Sequence, residues 1–345
     1  MNNNPNGLRE RLKNRFRKME YMISHDKMGD INKFFFTFEK LPRRGKQYWF
    51  FIFTSNNPKP KKQLMVTVGN QNVKKYTVDG CEVLKKNGKD PFSYWYYDEG
   101  KITRSPTMPS NITMENGMMK MDSGETVFSI KGDYPNHRIL LEKEGKTICD
   151  IRTSKGKDRR DYDLLDFFKG GVGFGNINIL ESFEGKLNSK KFSGQCYLQK
   201  VVITAPLPNV PWYWGRMVFP DNSILGFLCP HVKLSKLGKS LATSAYFYDS
   251  KKGKEYNFNK VKVHKLGKNK RQFFVEAKNK DSQMNFLADS YALKTFKISS
   301  IGKLTYEQNL VDVKSFTLEK NGKILTEKDK GNAIGIFEDG YGYVI

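Results

Sequence analysis

Aromatic side chains give this sequence its best candidate for a ligand site. The run Trp212-Tyr213-Trp214 follows Pro211 at the end of a proline-rich loop, which delivers large rings into the next strand. In a strand, Trp212 and Trp214 share one face and Tyr213 takes the other. Rings with a few polar tips line pockets for apolar molecules, although rings in a barrel also serve simply as its core. Both interpretations stay open on this motif alone.

Polar groups in apolar stretches extend the set of candidates. Tyr197 and Gln199 share a face of the stretch that precedes the tryptophans. The remaining candidates are Trp95, Tyr97, Asp98, Glu338 and Tyr341. A carboxyl group buried in such a stretch has a raised pKa, which suits it to general acid catalysis. Glu338 is therefore the candidate acid, whereas Asp98 precedes a Glu-Gly turn and is expected at the surface.

Other catalytic chemistry has little support. The four histidines and four cysteines are scattered, without His-x-His or Cys-x-x-Cys, so we expect free thiols and no metal site. The glycine-rich run 170–175 lacks the Lys-Ser/Thr of a phosphate-binding loop, and no Gly-x-Ser-x-Gly occurs. We therefore expect no cofactor, and conventional hydrolase, kinase and dehydrogenase functions are not supported.

An antiparallel, all-β architecture must position these residues. Most of the chain consists of short aromatic and β-branched segments separated by turn dipeptides such as Asn87-Gly88 and Asn321-Gly322. The helices that a parallel sheet needs between its strands are missing. A short helical turn is expected over 162–168. One amphipathic, basic helix is expected near the N-terminus, where these residues recur at helical spacing: Leu8, Leu12, Phe16, Met19 and Ile23.

An internal repeat divides the chain into two β-domains. The pattern Thr37, Leu41-Pro42, Tyr48-Trp49 is echoed by Thr204, Leu207-Pro208, Tyr213-Trp214, at offsets between 165 and 167 residues. We expect an N-terminal helical segment over residues 1–30, a first β-domain over 31–175 and a second over 185–345.

The chain is strongly basic. Its 60 lysines and arginines against 36 acidic residues give a net charge of +24, which raises the odds of contact with nucleic acid or an anionic membrane surface. AT-rich coding DNA, which also enriches Asn, Phe and Tyr, is the simpler explanation. No nucleic-acid-binding motif is visible, so nucleic acid is the least favoured partner. Without an apolar stretch near 20 residues or a visible signal peptide, we expect a cytoplasmic protein, with docking at a membrane surface as an open alternative.

Three motifs of the second half carry a family resemblance. They are Gly194-Gln195-Cys196-Tyr197, Pro208-Asn209-Val210-Pro211-Trp212-Tyr213-Trp214 and Gly335-Ile336-Phe337-Glu338-Asp339-Gly340-Tyr341. Together they resemble strands of the two-domain lipocalin-like, or calycin, proteins that include the AttH-like group and the carotenoid 1,2-hydratases. The resemblance implies two packed antiparallel β-barrels with an apolar cavity. It also implies cofactor-free chemistry, although Leu198, Gln199 and Lys200 stand where the hydratases place acidic and asparagine residues. Carotenoid hydration is therefore not expected.

The sequence thus leads to two functional hypotheses. In the first, the protein binds a hydrophobic small molecule, such as an isoprenoid, lipid or polyketide, in an aromatic-lined barrel cavity. Any turnover would then be isomerase, cyclase or lyase chemistry, with Glu338 as the acid. In the second, it is a non-catalytic carrier or interaction module whose basic surface docks on an anionic membrane, an acidic protein or nucleic acid.

Overall fold

A computed structural model describes residues 31–57, 59–115, 117–156, 162–166, 174–204, 211–230 and 243–344. The helix expected over Leu8–Ile23 and residues 170–173 of the glycine-rich run lie outside these residues. The helical turn expected over 162–168 is wrong, because Tyr162–Asp166 is a strand paired along its length with the segment 175–179. No helix among the described residues is long and apolar enough to cross a membrane.

The described chain is built almost entirely of strands. The elements are α1 (Ile31–Phe35), β1 (Lys46–Ser55), β2 (Lys62–Gln71), β3 (Lys75–Val78), β4 (Cys81–Leu84), a 3-10 turn (Lys85–Asn87), β5 (Asp90–Asp98), β6 (Lys101–Arg104), β7 (Met108–Glu115), β8 (Met118–Asp122), β9 (Thr126–Asp133), β10 (Asn136–Lys143), β11 (Lys146–Lys155), β12 (Tyr162–Asp166), β13 (Phe174–Leu187), β14 (Lys190–Ile203), β15 (Trp212–Val218), β16 (Ile224–Pro230), β17 (Ser244–Asp249), β18 (Lys254–Phe258), β19 (Lys260–Leu266), β20 (Gln272–Lys278), β21 (Ser282–Ser300), β22 (Gly302–Lys320), β23 (Lys323–Thr326), α2 (Glu327–Lys330) and β24 (Ile334–Val344).

The first sheet is a closed antiparallel barrel of ten strands. Its order is β11-β10-β9-β8-β7-β5-β2-β1-β14-β13, and β13 returns to pair with β11. The length of β13 permits this, since its first half pairs with β12 and its second half with β11. Closure leaves few free strand edges, and edges are where sheets aggregate.

The second sheet runs β18-β17-β16-β15-β24-β22-β21-β20-β19. It is rolled, because β19 returns to the other end of the sheet. The Val261 amide on β19 donates to Thr243 Oγ1 at 3.0 Å, and Cys229 Sγ on β16 lies 3.6 Å from the Val261 carbonyl oxygen. The all-β, lipocalin-like class predicted from the sequence is confirmed.

The two sheets exchange chain segments. Strands β13 and β14, which span residues 174–203, pair with β11, β12 and β1 in the first sheet. The first sheet therefore extends beyond residue 185, where the sequence places the start of the second domain. In the other direction, the hairpin β3–β4 leaves the first half and pairs with β21.

Both sheets enclose cores filled with aromatic side chains. Phe51, Phe53, Phe92 and Phe128 are fully buried inside the first barrel. In the second sheet, Phe273 stacks on Phe337 with ring centroids 3.9 Å apart. The aromatic density of the sequence therefore serves largely as core in both sheets.

One end of the first barrel is sealed by α1. Phe34 and Phe35 are fully buried there, and the Trp49 indole N–H donates to the Phe35 carbonyl at 3.1 Å. From β14, Lys200 Nζ donates to the carbonyls of Phe34 and Thr37 at 2.7 and 2.6 Å. It also lies 3.5 Å from Glu39 Oε1. The buried ammonium thus donates to carbonyls at and just beyond the C-terminal end of the short helix.

Replacing Lys200 should therefore destabilise the barrel. We expect Lys200→Met to lower the free energy of unfolding by on the order of 3 kcal/mol, because it removes a buried ammonium that contacts Glu39 and donates to two carbonyls in the interior. Urea titration of the purified variant measures this. Lys191→Met, on an exposed position of the same strand, is the matched control and should be close to neutral. Equal stability of the two variants would contradict the role given to Lys200.

Candidate functional site between the two sheets

The candidate site lies where the two sheets pack against each other. The outward faces of β1, β2, β5, β13 and β14 meet the outward faces of β15, β21, β22 and β24, with β3 and β4 at one side. We call this region the inter-sheet layer. Its buried apolar members are Ile52, Met65, Trp95, Leu180, Tyr197, Ala292, Leu310 and Ile336 in one cluster and Tyr76, Val78, Val83, Phe296 and Tyr306 in another.

The alternation of side chains along β15 places two of the three rings of the tryptophan motif in this layer. Tyr213 packs with the interior of the second sheet, and Trp212 and Trp214 pack with the inter-sheet layer. The sequence places these rings in a barrel cavity, but the barrel interiors are occupied by other residues. The repeat is also out of phase, since Trp49 faces a barrel core whereas its sequence counterpart Trp214 faces the layer. A shift of one residue moves a side chain to the opposite face.

Two glycines let rings lie flat against the second sheet. A Cβ atom at Gly340 would come 2.5 Å from the Trp212 ring, and one at Gly226 would come 2.5 Å from the Tyr246 ring. Both contacts are far shorter than van der Waals distance. Trp212 and Tyr246 can therefore occupy these positions only because Gly340 and Gly226 have no side chain.

Glu338 is the carboxylate of the layer. It lies on β24 directly opposite Trp214 of β15 and Gln308 of β22. The Tyr306 hydroxyl donates to Glu338 Oε1, and the Trp212 indole N–H donates to Oε2 at 3.4 Å. Three of the groups around Glu338 were not among the candidate site residues predicted from the sequence: Tyr306, Gln308 and Tyr48.

The hydrogen-bond network continues from Glu338 to the first barrel. Gln308 Nε2 donates to the Tyr306 hydroxyl at 2.6 Å, and the Trp95 indole N–H donates to Gln308 Oε1 at 2.8 Å. Trp95 on β5 and Trp212 on β15 therefore stand at the two ends of one chain of hydrogen bonds. This network brings together three of the residues predicted from the sequence: Trp95, Trp212 and Glu338.

The environment of Glu338 changes its acidity. Burial raises the pKa of this carboxyl to about 7, against the stabilising hydrogen bonds from Tyr306, Trp212 and Gln308. Burial and the nearby Glu338 in turn raise the pKa of the Tyr306 hydroxyl well above its ordinary value. Close to neutral pH, Glu338 is therefore present in both protonated and ionised forms, as a general acid requires.

Tyr197 and Gln199 form a second polar group beside Trp214. The Tyr197 hydroxyl donates to Asn178 Oδ1 at 2.6 Å, and Gln199 Nε2 donates to the same oxygen at 2.9 Å. The rings of Tyr197 and Trp214 lie 5.4 Å apart between their centroids. These residues place amide and hydroxyl groups next to a partly buried indole.

The other predicted residues have different positions. Tyr97 borders the layer and contacts Tyr291 edge to face at 4.9 Å. Tyr341 is 43 % exposed and donates to Glu307 at 3.3 Å, so it is not brought together with Glu338. Asp98 was expected at the surface and is instead buried, because Lys62 pairs with it at 3.6 Å and Asn188 donates to it at 3.2 Å.

The alternation of side chains along a strand could have identified the site residues that the sequence interpretation missed. Arg216 stands two positions after Trp214, and Tyr306 and Gln308 are also two apart, so each pair shares a face of its strand. The pairing of β22 with β24 was not visible in the sequence. No group of three or more His, Cys, Asp or Glu side chains with a metal-binding arrangement occurs in the described part of the chain.

Comparison with known proteins identifies the fold. No protein-family model and no curated protein matches the sequence. Among solved structures, the chain is similar to an AttH-type protein from Nitrosomonas europaea, with a TM-score of 0.50 and 10% identity over 86% of this chain and 92% of that one. The chain has an AttH-like fold. It is also similar to kievitone hydratase from Nectria haematococca, with a TM-score of 0.41 and 10% identity over 86% of this chain and 89% of that one.

The AttH-like fold confirms the resemblance that the three second-half motifs carry. Two of those motifs lie on paired strands, since Trp212 is opposite Gly340 and Trp214 is opposite Glu338. The motifs therefore form one patch of the AttH-like fold, and this patch faces the inter-sheet layer.

The raised pKa of Glu338 predicts a pH dependence of stability. In the unfolded chain this carboxyl ionises near its ordinary pKa of 4.5, and in the folded chain near 7. Between these pH values the folded state binds more protons at Glu338 than the unfolded state does. The contribution of Glu338 to the free energy of unfolding therefore falls as pH rises from about 4.5 and is constant above about 7. Glu338→Gln mimics the protonated form and should remove this contribution, on the order of 3 kcal/mol.

Urea unfolding at several values between pH 5 and pH 8 tests this. As pH rises, the free energy of unfolding of Glu338→Gln should increase relative to that of the wild type. Glu307→Gln, on the neighbouring strand β22, is the control and should show a small and constant difference. A difference for Glu338→Gln that does not change with pH would contradict the assignment.

Proposed function

We propose that the protein binds a hydrophobic small molecule in the inter-sheet layer and that Glu338 acts there as a proton donor. The observation that carries this proposal is the buried carboxyl with a pKa of about 7, held by Tyr306 and Trp212 in an aromatic surrounding. The molecule would be of isoprenoid, lipid or polyketide type, and no cofactor would be required.

The packing of the molecule supports the layer over the barrel interiors. The first barrel is filled by large rings and sealed by α1. In the layer, by contrast, Trp212, Trp214 and Gln199 are only partly buried although they lie beside fully buried groups. A ligand that displaces solvent from these rings gains about 25 cal/mol for each Å² of apolar surface buried.

The acidity of Glu338 defines the chemistry that fits. A carboxyl group with a pKa near 7 is a poor acid for an isolated alkene, but it can protonate a carbonyl oxygen or a departing hydroxyl group. Glu338 would lose its proton to that oxygen, and the resulting carboxylate would keep the hydrogen bonds from the Tyr306 hydroxyl and the Trp212 indole. Return of a proton from the product restores the acid. Isomerisation, cyclisation and elimination all fit this sequence of steps.

Removing the indole at position 214 tests binding. We expect Trp214→Ala to weaken the binding of retinol, a neutral apolar polyene, by at least tenfold, because it removes the ring that faces Tyr197 and Glu338. The fluorescence of bound retinol itself gives the affinity, so the loss of a tryptophan does not disturb the measurement. Phe38→Ala, at an exposed ring outside the layer, is the control. Unchanged retinol affinity in folded Trp214→Ala would count against the proposal.

One observation favours a second function, docking on an anionic lipid surface. Strand β19 is an end strand of the second sheet, and Lys260, Lys262 and His264 are exposed side by side on it. The following hairpin adds Lys268 and Lys270, both exposed. Each basic residue near an anionic bilayer contributes about 1 kcal/mol of attraction. The same lysines also protect an edge strand from aggregation, which is the simpler role.

Salt dependence separates these two roles. If docking occurs, co-sedimentation with phosphatidylserine vesicles should fall steeply between 100 and 500 mM NaCl, since attraction between exposed charges is screened. The double variant Lys260→Glu/Lys262→Glu should bind more weakly than the charge-matched control Lys101→Glu/Lys143→Glu. Equal binding of the two double variants would show that only net charge matters and would reject β19 as a docking site.

A further inference from the structure

A buried positive charge in the inter-sheet layer has no negative partner among the residues that the structure describes. Arg216 lies on β15, is 5% exposed, and donates from Nη1 to the Tyr246 hydroxyl at 2.7 Å. Its guanidinium lies over the Tyr197 ring, 5.2 Å from the centroid. The second terminal nitrogen, Nη2, is buried, and no described residue accepts a hydrogen bond from it. Within the residues that the structure describes, no carboxylate forms an ion pair with Arg216.

Such an arrangement is costly unless something compensates it. A guanidinium remains charged at any pH at which proteins are folded. Burying a charge without a partner is strongly unfavourable, and stacking on a tyrosine ring offsets only a part of the cost. The neighbours of Arg216 include Ile336, directly opposite on β24, so an apolar side chain would suit the packing better. The arginine therefore has no evident role in stability.

The position of Arg216 relates it to the proposed site. It shares a face of β15 with Trp214, about 7 Å away along the strand. Trp214 is directly opposite Glu338. Trp214 thus has Arg216 beside it along its own strand and Glu338 beside it on the paired strand.

We propose that the ligand of the inter-sheet layer is an amphipathic acid whose carboxylate or enolate oxygen pairs with Nη2 of Arg216. This inference rests on the proposed function and adds the class of substrate. The apolar body would lie on Trp214 and reach toward Glu338. One buried positive charge neutralises one negative charge, which favours a singly charged acid over a phosphate dianion. The anionic group would also offset the free-energy cost of burying the guanidinium, and this offset would strengthen binding.

A matched pair of probes tests the proposal. Retinoate and retinol share the same polyene and differ in the charged group, and both absorb where tryptophan emits, so each can be titrated against the wild-type chain at pH 8. We expect retinoate to bind at least tenfold more tightly than retinol, with a ratio that persists in 500 mM NaCl because the ion pair is buried. Arg216→Met should reduce the ratio to about one and leave retinol affinity within twofold.

Controls separate this pair from the general positive charge. Arg271→Met removes the same side chain from an exposed position and should keep the wild-type ratio. Arg216→Lys retains a charge and should keep an intermediate ratio, which provides a second variant should the methionine variant fail to fold. The midpoint of thermal unfolding of Arg216→Met should equal or exceed that of the wild type, since the variant no longer buries an unpaired charge.

The possible outcomes are distinct. Equal affinity of the wild type for the two probes, or an unchanged ratio in Arg216→Met, overturns the acid-binding role of Arg216 while the proposed function stands. Failure of both probes to bind the folded wild type overturns the proposed function and this inference together. A lower midpoint of thermal unfolding in Arg216→Met with an unchanged ratio would show that the arginine is structural.

Discussion

Burial on both faces of the same strands is the constraint on which this molecule depends. Side chains of a strand alternate, so each strand at the junction supplies one row to its own core and another to the inter-sheet layer. In β1, Trp49, Phe51 and Phe53 fill the first barrel, while Phe50 and Ile52 face the second sheet. No side chain of β1 is fully exposed. This explains the unbroken apolar run from Tyr48 to Phe53.

The polar groups around Glu338 enter this layer with partners, and the partners set their chemistry. Glu338, Tyr306, Gln308 and Trp95 are satisfied by one another across the junction. Because water is excluded, the carboxyl titrates near neutral pH and the phenol does not titrate there. Arg216 is the contrasting case, since no described residue accepts a hydrogen bond from its Nη2.

The sequence predicts the strands and their alternation well, and the assembly of the sheets much less well. Trp212 and Trp214 on one face and Tyr213 on the other follow directly from a period of two. The face that meets the layer does not follow, because barrel interior and inter-sheet contact are equally apolar. Likewise, the burial of Asp98 depends on Lys62 and Asn188, which are distant in sequence. Glu338 meets Tyr306 and Gln308 through the pairing of β22 with β24, and no local sequence pattern predicts that pairing.

The hairpin β3–β4 has a consequence for the order in which the chain can assemble. It pairs with β21, and the Thr77 hydroxyl bonds to that of Ser299, 222 positions later. During synthesis, the ribosome therefore releases the hairpin long before its partner strand exists. The first barrel also awaits β13 and β14 for its closure. The first barrel can close once β14 has been translated, whereas the hairpin lacks its partner strand until β21 follows, so this one part of the first half is completed late.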